Sequence, residues 1–76
     1  MTLETESLAL VRADRDIDSG KARIERQRAL VVHMRTNGRD TKAALALLGT
    51  LEDTLVVMLR FRSLLVSRLA QLKRGV

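Results

Sequence analysis

The side chains best equipped for chemistry in this chain are its arginines. Lys21, Arg23, Arg26, Arg28, Arg35 and Arg39 crowd residues 19–39 against a single acid, Glu25, giving that stretch a local charge of +5. Guanidinium groups grip phosphates and carboxylates through paired N–H donors, so Arg23, Arg26, Arg28 and Arg35 form a candidate anion-binding set. A solvated helix face carries the same kind of charge run. A second basic group, Arg60, Arg62, Arg68, Lys73 and Arg74, gives residues 57–76 a charge of +5 with no acid among them. The acids lie elsewhere. Residues 4–18 hold Glu4, Glu6, Asp14, Asp16 and Asp18 against Arg12 and Arg15, for a charge of −3.

Other chemistry is sparse. His33 is the sole histidine and there is no cysteine, so neither a metal centre nor a cofactor is expected. His33 is placed to favour the negative end of a helix dipole when charged. The chain has no glycine-rich phosphate loop and no serine elbow. Aromatic stacking platforms for single-stranded nucleic acid are limited to Phe61. Leu10-Val11-Arg12 through Ile17-Asp18 loosely resembles the first helix of the all-helical chorismate mutases. A chain of 76 residues has no room for their third helix, and the matching Lys/Glu/Gln set is missing. The sequence reads as non-enzymatic.

The arginines must be carried by helices. Ala44, Leu48, Leu51, Leu55, Met58, Leu65, Leu69 and Leu72 recur at spacings of three and four, interrupted once by Arg62. That is a heptad seam sustained over about four repeats. Leu3, Leu10, Ile17, Ile24 and Val31 repeat every seven residues further upstream, with Glu6, Ala13, Gly20, Gln27 and Met34 three positions on. Between the two seams stands Thr36-Asn37-Gly38-Arg39-Asp40-Thr41. Gly38 suits a left-handed helix stop, and Asp40 or Thr41 suits the next N-cap. With no proline and 46% apolar residues, the composition fits long helices. The fold class is all-α: one antiparallel helical hairpin over residues 1–76. Helix 1 is expected at about 6–37, the turn at 38–40 and helix 2 at about 41–73. Gly20 marks either a kink or the start of the stable part of helix 1, with fraying before residue 12.

Helix 2 has more apolar surface than one neighbour can cover. Its apolar arc spans about 160°, wider than an ordinary surface helix needs. Association of two hairpins into a four-helix bundle is the simplest way to bury it. The expected interface comprises Leu48, Leu51, Leu55, Met58, Leu59, Phe61, Leu65 and Leu69. A homodimer is the first reading, and a different helical protein partner filling the same arc is another. Within the hairpin, charge pairing is expected between Asp14 or Asp16 and Arg62, between Asp18 and Arg60, and between Arg23 or Arg26 and Glu52. Gln27 falls in the seam as a polar specificity residue, and Met34 and Met58 fill the core.

The series Ile17, Gly20, Arg23-Ile24, Gln27, Leu30-Val31, Gly38-Arg39-Asp40-Thr41, Ala44, Leu47-Leu48 and Leu51 resembles a group of small bacterial proteins frequent in alphaproteobacteria, over roughly residues 17–65. The resemblance implies a helical hairpin of bacterial cytoplasmic origin and no particular activity. In architecture alone the chain is also similar to the Rop family, hairpins that dimerise into four-helix bundles and bind paired RNA loops. That similarity makes nucleic-acid binding by the basic face of helix 1 the alternative function. The acidic N-terminus lacks the basic region of a secretory signal, and the longest uncharged run, Ala43 to Leu51, is too short to span a bilayer. A cytoplasmic location is the expectation.

Overall fold

The computed structural model describes residues 2–75. Two helices account for nearly all of them: α1, Leu3–Thr36, and α2, Lys42–Arg74. They pack against each other along their length as an all-α hairpin, with no strand among the described residues. The result is a rod of 60 × 15 × 13 Å, matching the ~50 Å expected for 34 residues at 1.5 Å rise.

α1 starts three residues earlier than periodicity predicts, because of a local device. Thr2 and Thr5 form a reciprocal capping box: the Thr5 N–H donates to Thr2 Oγ1 at 3.2 Å, and the Thr2 N–H donates to Thr5 Oγ1 at 3.0 Å. Glu4 and Glu6 in the first turn face the positive end of the helix dipole. The sequence signal was a Thr-x-x-Thr spacing, with threonine where glutamate more often stands. The helix then runs unbroken through Gly20.

The turn follows from glycine. Gly38 adopts φ +67°, where a side chain would be strained. The Arg39 N–H donates to Met34 O at 2.9 Å and the Gly38 N–H to Arg35 O at 3.1 Å. This pair of bonds is a Schellman stop, and it satisfies carbonyls the helix end leaves open. At the start of α2, Asp40 Oδ1 accepts the Lys42 N–H at 3.0 Å, while Thr41, the N-cap by position, makes no side-chain cap.

Both heptad seams face inward except at Leu3, which is exposed at the start of α1 beyond the reach of α2 packing. Ala13, Ile17, Ile24, Val31, Ala44, Leu65 and Leu69 are buried, and Leu10, Met34, Leu48, Leu51, Leu55, Met58 and Leu72 are half-buried. Gly20 sits where α2 comes close: a Cβ built there would lie 3.5 Å from Met58 Sδ and 3.8 Å from Leu55 Cδ1. The Gln27 side-chain amide donates to Ala44 O at 2.9 Å across the seam. That bond, together with the contact at Gly20, fixes which levels of the two helices meet.

Candidate functional site

A two-helix rod has two broad faces, and packing decides which residues share one. On one face Lys21, Glu25 and Arg28 of α1 meet Glu52 and Leu55 of α2 around a cleft of about 220 Å³. On the opposite face Arg23, Arg26, Gln27 and Leu30 meet Leu47 and Leu51 around a groove of about 460 Å³. We call these the Glu52 face and the Leu47 face. Residues seven apart stay nearly in line on a helix. Leu45, Leu59, Val66 and Lys73 therefore continue the row of Glu52, while Phe61 and Arg68 continue the row of Leu47.

This division separates the predicted anion-binding set. Arg28 belongs to the Glu52 face. Its guanidinium bonds Glu25 at 2.7 Å and Glu52 at 3.1 Å. The hydrogen bond to Glu52 above all, with help from Glu25, holds it charged beyond its ordinary range. Arg35, seven residues on, lies in the same row. Arg23 and Arg26 line the other side and make no ion pair with a described residue. The four arginines do not form one surface.

The expected charge pairs are partly redistributed. Arg62 pairs with Asp14 rather than Asp16, as a part-buried contact at the one charged position of the α2 seam. Glu52 takes Arg28 rather than Arg23 or Arg26, because the latter two emerge on the far side of α1. No pair joins Asp18 to Arg60 among the described residues. A contact not read from sequence appears instead. Glu6 is buried in the seam, its Oε2 has no hydrogen-bond partner, and the nearest cation, Arg68 Nη1, is 3.6 Å away.

The predicted interface residues are also divided. Leu65 and Leu69 are closed over by α1, leaving 2% and 8% of their surface exposed. Leu48, Leu51, Leu55 and Met58 are half-buried in the same intramolecular seam. Leu59 and Phe61 are exposed, at 42% and 51%, but on opposite faces. Further exposed apolar side chains that the sequence-level list omits are Leu30, Leu47, Val57 and Leu64 toward the Leu47 face, and Leu45, Val56 and Val66 toward the Glu52 face.

His33 is exposed near the end of α1, where the Asn37 side chain contacts both its ring and its carbonyl. Among the described residues no group of three His, Asp or Glu side chains is close enough to hold a metal ion, and no helix is long and apolar enough to cross a membrane. No protein-family model, curated protein or solved structure matches the chain.

Proposed function

We propose that this chain is a non-enzymatic interaction module that works as a homodimer, two hairpins closing into a four-helix bundle. The supporting observation is uncovered surface. The chain exposes 5859 Å², whereas a compact protein of its 8.5 kDa mass exposes about 4,700 Å². Its radius of gyration is 17.3 Å against about 11 Å for a compact domain of this length. The excess of about 1,200 Å² exceeds the ~800 Å² that each partner contributes to a standard stable interface. Among the described residues thirteen large apolar side chains are exposed, and most of them lie on α2. Apolar surface on that scale stabilises association by roughly 25 cal/mol for each Å² removed from water.

Light-scattering mass on a sizing column tests this directly. The chain has no Trp or Tyr, so refractive index must follow it. The expected result is one peak at twice the 8.5 kDa chain mass, free of nucleic-acid absorbance. A monomeric peak at micromolar concentration would overturn the homodimer. A peak carrying ultraviolet absorbance that added salt removes would replace it with the nucleic-acid reading.

A further inference from the structure

The two faces are not equally suited to a second copy. On the Glu52 face, α1 presents Ser7, Asp14, Lys21, Arg28 and Arg35, a row polar at every position and ending in three successive cations. Asp14 and Arg28 in it are already engaged by Arg62 and Glu52 of the same chain. On the Leu47 face, α1 presents Ala9, Asp16, Arg23 and Leu30. Read along the row this is small, acidic, basic, large, an order that complements itself when reversed. Asp16 and Arg23 are exposed and make no ion pair with a described residue.

Resting on the homodimer reading, we infer that the Leu47 face is the mating surface and that a second copy covers it with α1 antiparallel to α1. The twofold axis crosses α1 between Ser19 and Gly20. This places Asp16 against the partner's Arg23, and Ala9 against the partner's Leu30, twice each by symmetry. The axis position is independently consistent with α2. Gly20 lies against Met58, so the axis crosses α2 beside Met58. There it sets Thr54 against the partner's Phe61, and Leu47 against the partner's Arg68, whose long stem can cover a leucine. Thus Arg23, which pairs with no described residue of its own chain, meets a carboxylate, and the groove of about 460 Å³ beside it is filled. Arg12 and Arg26 come to the open rim, where water and salt screen their repulsion. The central charge pairs fix both the antiparallel direction and the register, as polar groups within helical interfaces do.

Charge exchange at positions 16 and 23 tests the arrangement. Asp16→Arg alone, or Arg23→Asp alone, sets like charges together at two symmetric places. The dimer dissociation constant, from sedimentation equilibrium, is expected to rise at least ~100-fold for each, since apposed like charges cost several kcal/mol. The double exchange Asp16→Arg/Arg23→Asp restores the opposite-charge pairs and is expected within ~10-fold of the native value. Both residues are exposed, so circular dichroism should report unchanged helicity at concentrations where each variant is dimeric. If a single exchange disturbs the fold, the neutral pair Asp16→Asn and Arg23→Gln gives the same ranking with smaller effects. Single exchanges that leave a native dimer equally tight would overturn this surface while sparing the homodimer. A double exchange as weak as the singles would overturn the pairing, and a monomeric native chain would remove both readings.

Discussion

Replacing Glu6 with leucine should stabilise the protein. Glu6 occupies a seam position with only 8% of its side chain exposed, and its Oε2 has no hydrogen-bond partner. Removing a carboxylate from water costs several kcal/mol unless good partners take over from the solvent. Here the partner is inadequate. Arg68 stands 3.6 Å away, beyond ordinary hydrogen-bond length, and 44% of its side chain is in water. Such a half-solvated pair stabilises by about 1 kcal/mol at most. The first-turn position adds about 0.5 kcal/mol through the helix dipole. In the Glu6→Leu variant these two contributions disappear. In return, the carboxylate group gives way to the branched end of a side chain one atom shorter, with two more apolar carbons, each contributing about 0.8 kcal/mol on burial. The desolvation penalty of the ion also vanishes. The net gain is expected at roughly 1–3 kcal/mol, in the range found when buried ion pairs yield to apolar residues. Urea unfolding followed by circular dichroism measures it, at one fixed protein concentration because any self-association would shift apparent stability. The midpoint should rise with the slope unchanged. A midpoint lower by the equivalent of ~1 kcal/mol or more would refute the reasoning. It would mean that Glu6 and Arg68 form a strong pair despite their separation.

Two further substitutions test the backbone. Gly20→Ala places a methyl group in ordinary contact with Met58 and Leu55, with no clash, inside a continuous helix. It should stabilise by about 0.5–1 kcal/mol and raise Tm by several degrees in a thermal scan; a lower Tm would show that the close approach of α2 requires glycine. Gly38→Ala has ample space, with nothing within 4 Å of the new Cβ, yet must hold φ +67°. It should destabilise by about 1 kcal/mol from backbone strain alone, and an unchanged urea midpoint would contradict that account.

The all-α hairpin is legible in the residue order because of its periodicity. The sevenfold recurrence of Ile17, Ile24 and Val31, and the three-and-four spacing of the seam that holds Ala44, Leu65 and Leu69, can be buried only by a helix that keeps one stripe toward a neighbour, and these six are buried. Gly38 announced the turn because few residues tolerate a left-handed backbone. Gln27 and Arg62 stood out as polar residues within apolar seams, and both bridge the two helices. Helix starts were less legible, since the Thr2–Thr5 box depends on hydroxyl geometry that spacing only hints at. Packing settled which residues of α2 each flank of α1 meets. Arg23, Arg26 and Arg28 are neighbours in sequence, but a helix turns 100° per residue. The rotation of α1 against α2 therefore sends Arg28 to Glu52 on one side and leaves Arg23 and Arg26 beside Leu47 on the other. Helical spacing alone puts Leu59 and Phe61 on opposite flanks of the seam, whereas packing closed Leu65 and Leu69 within the chain. Periodicity records how wide an apolar arc is. Which part of it the chain covers for itself depends on the angle at which its two helices meet.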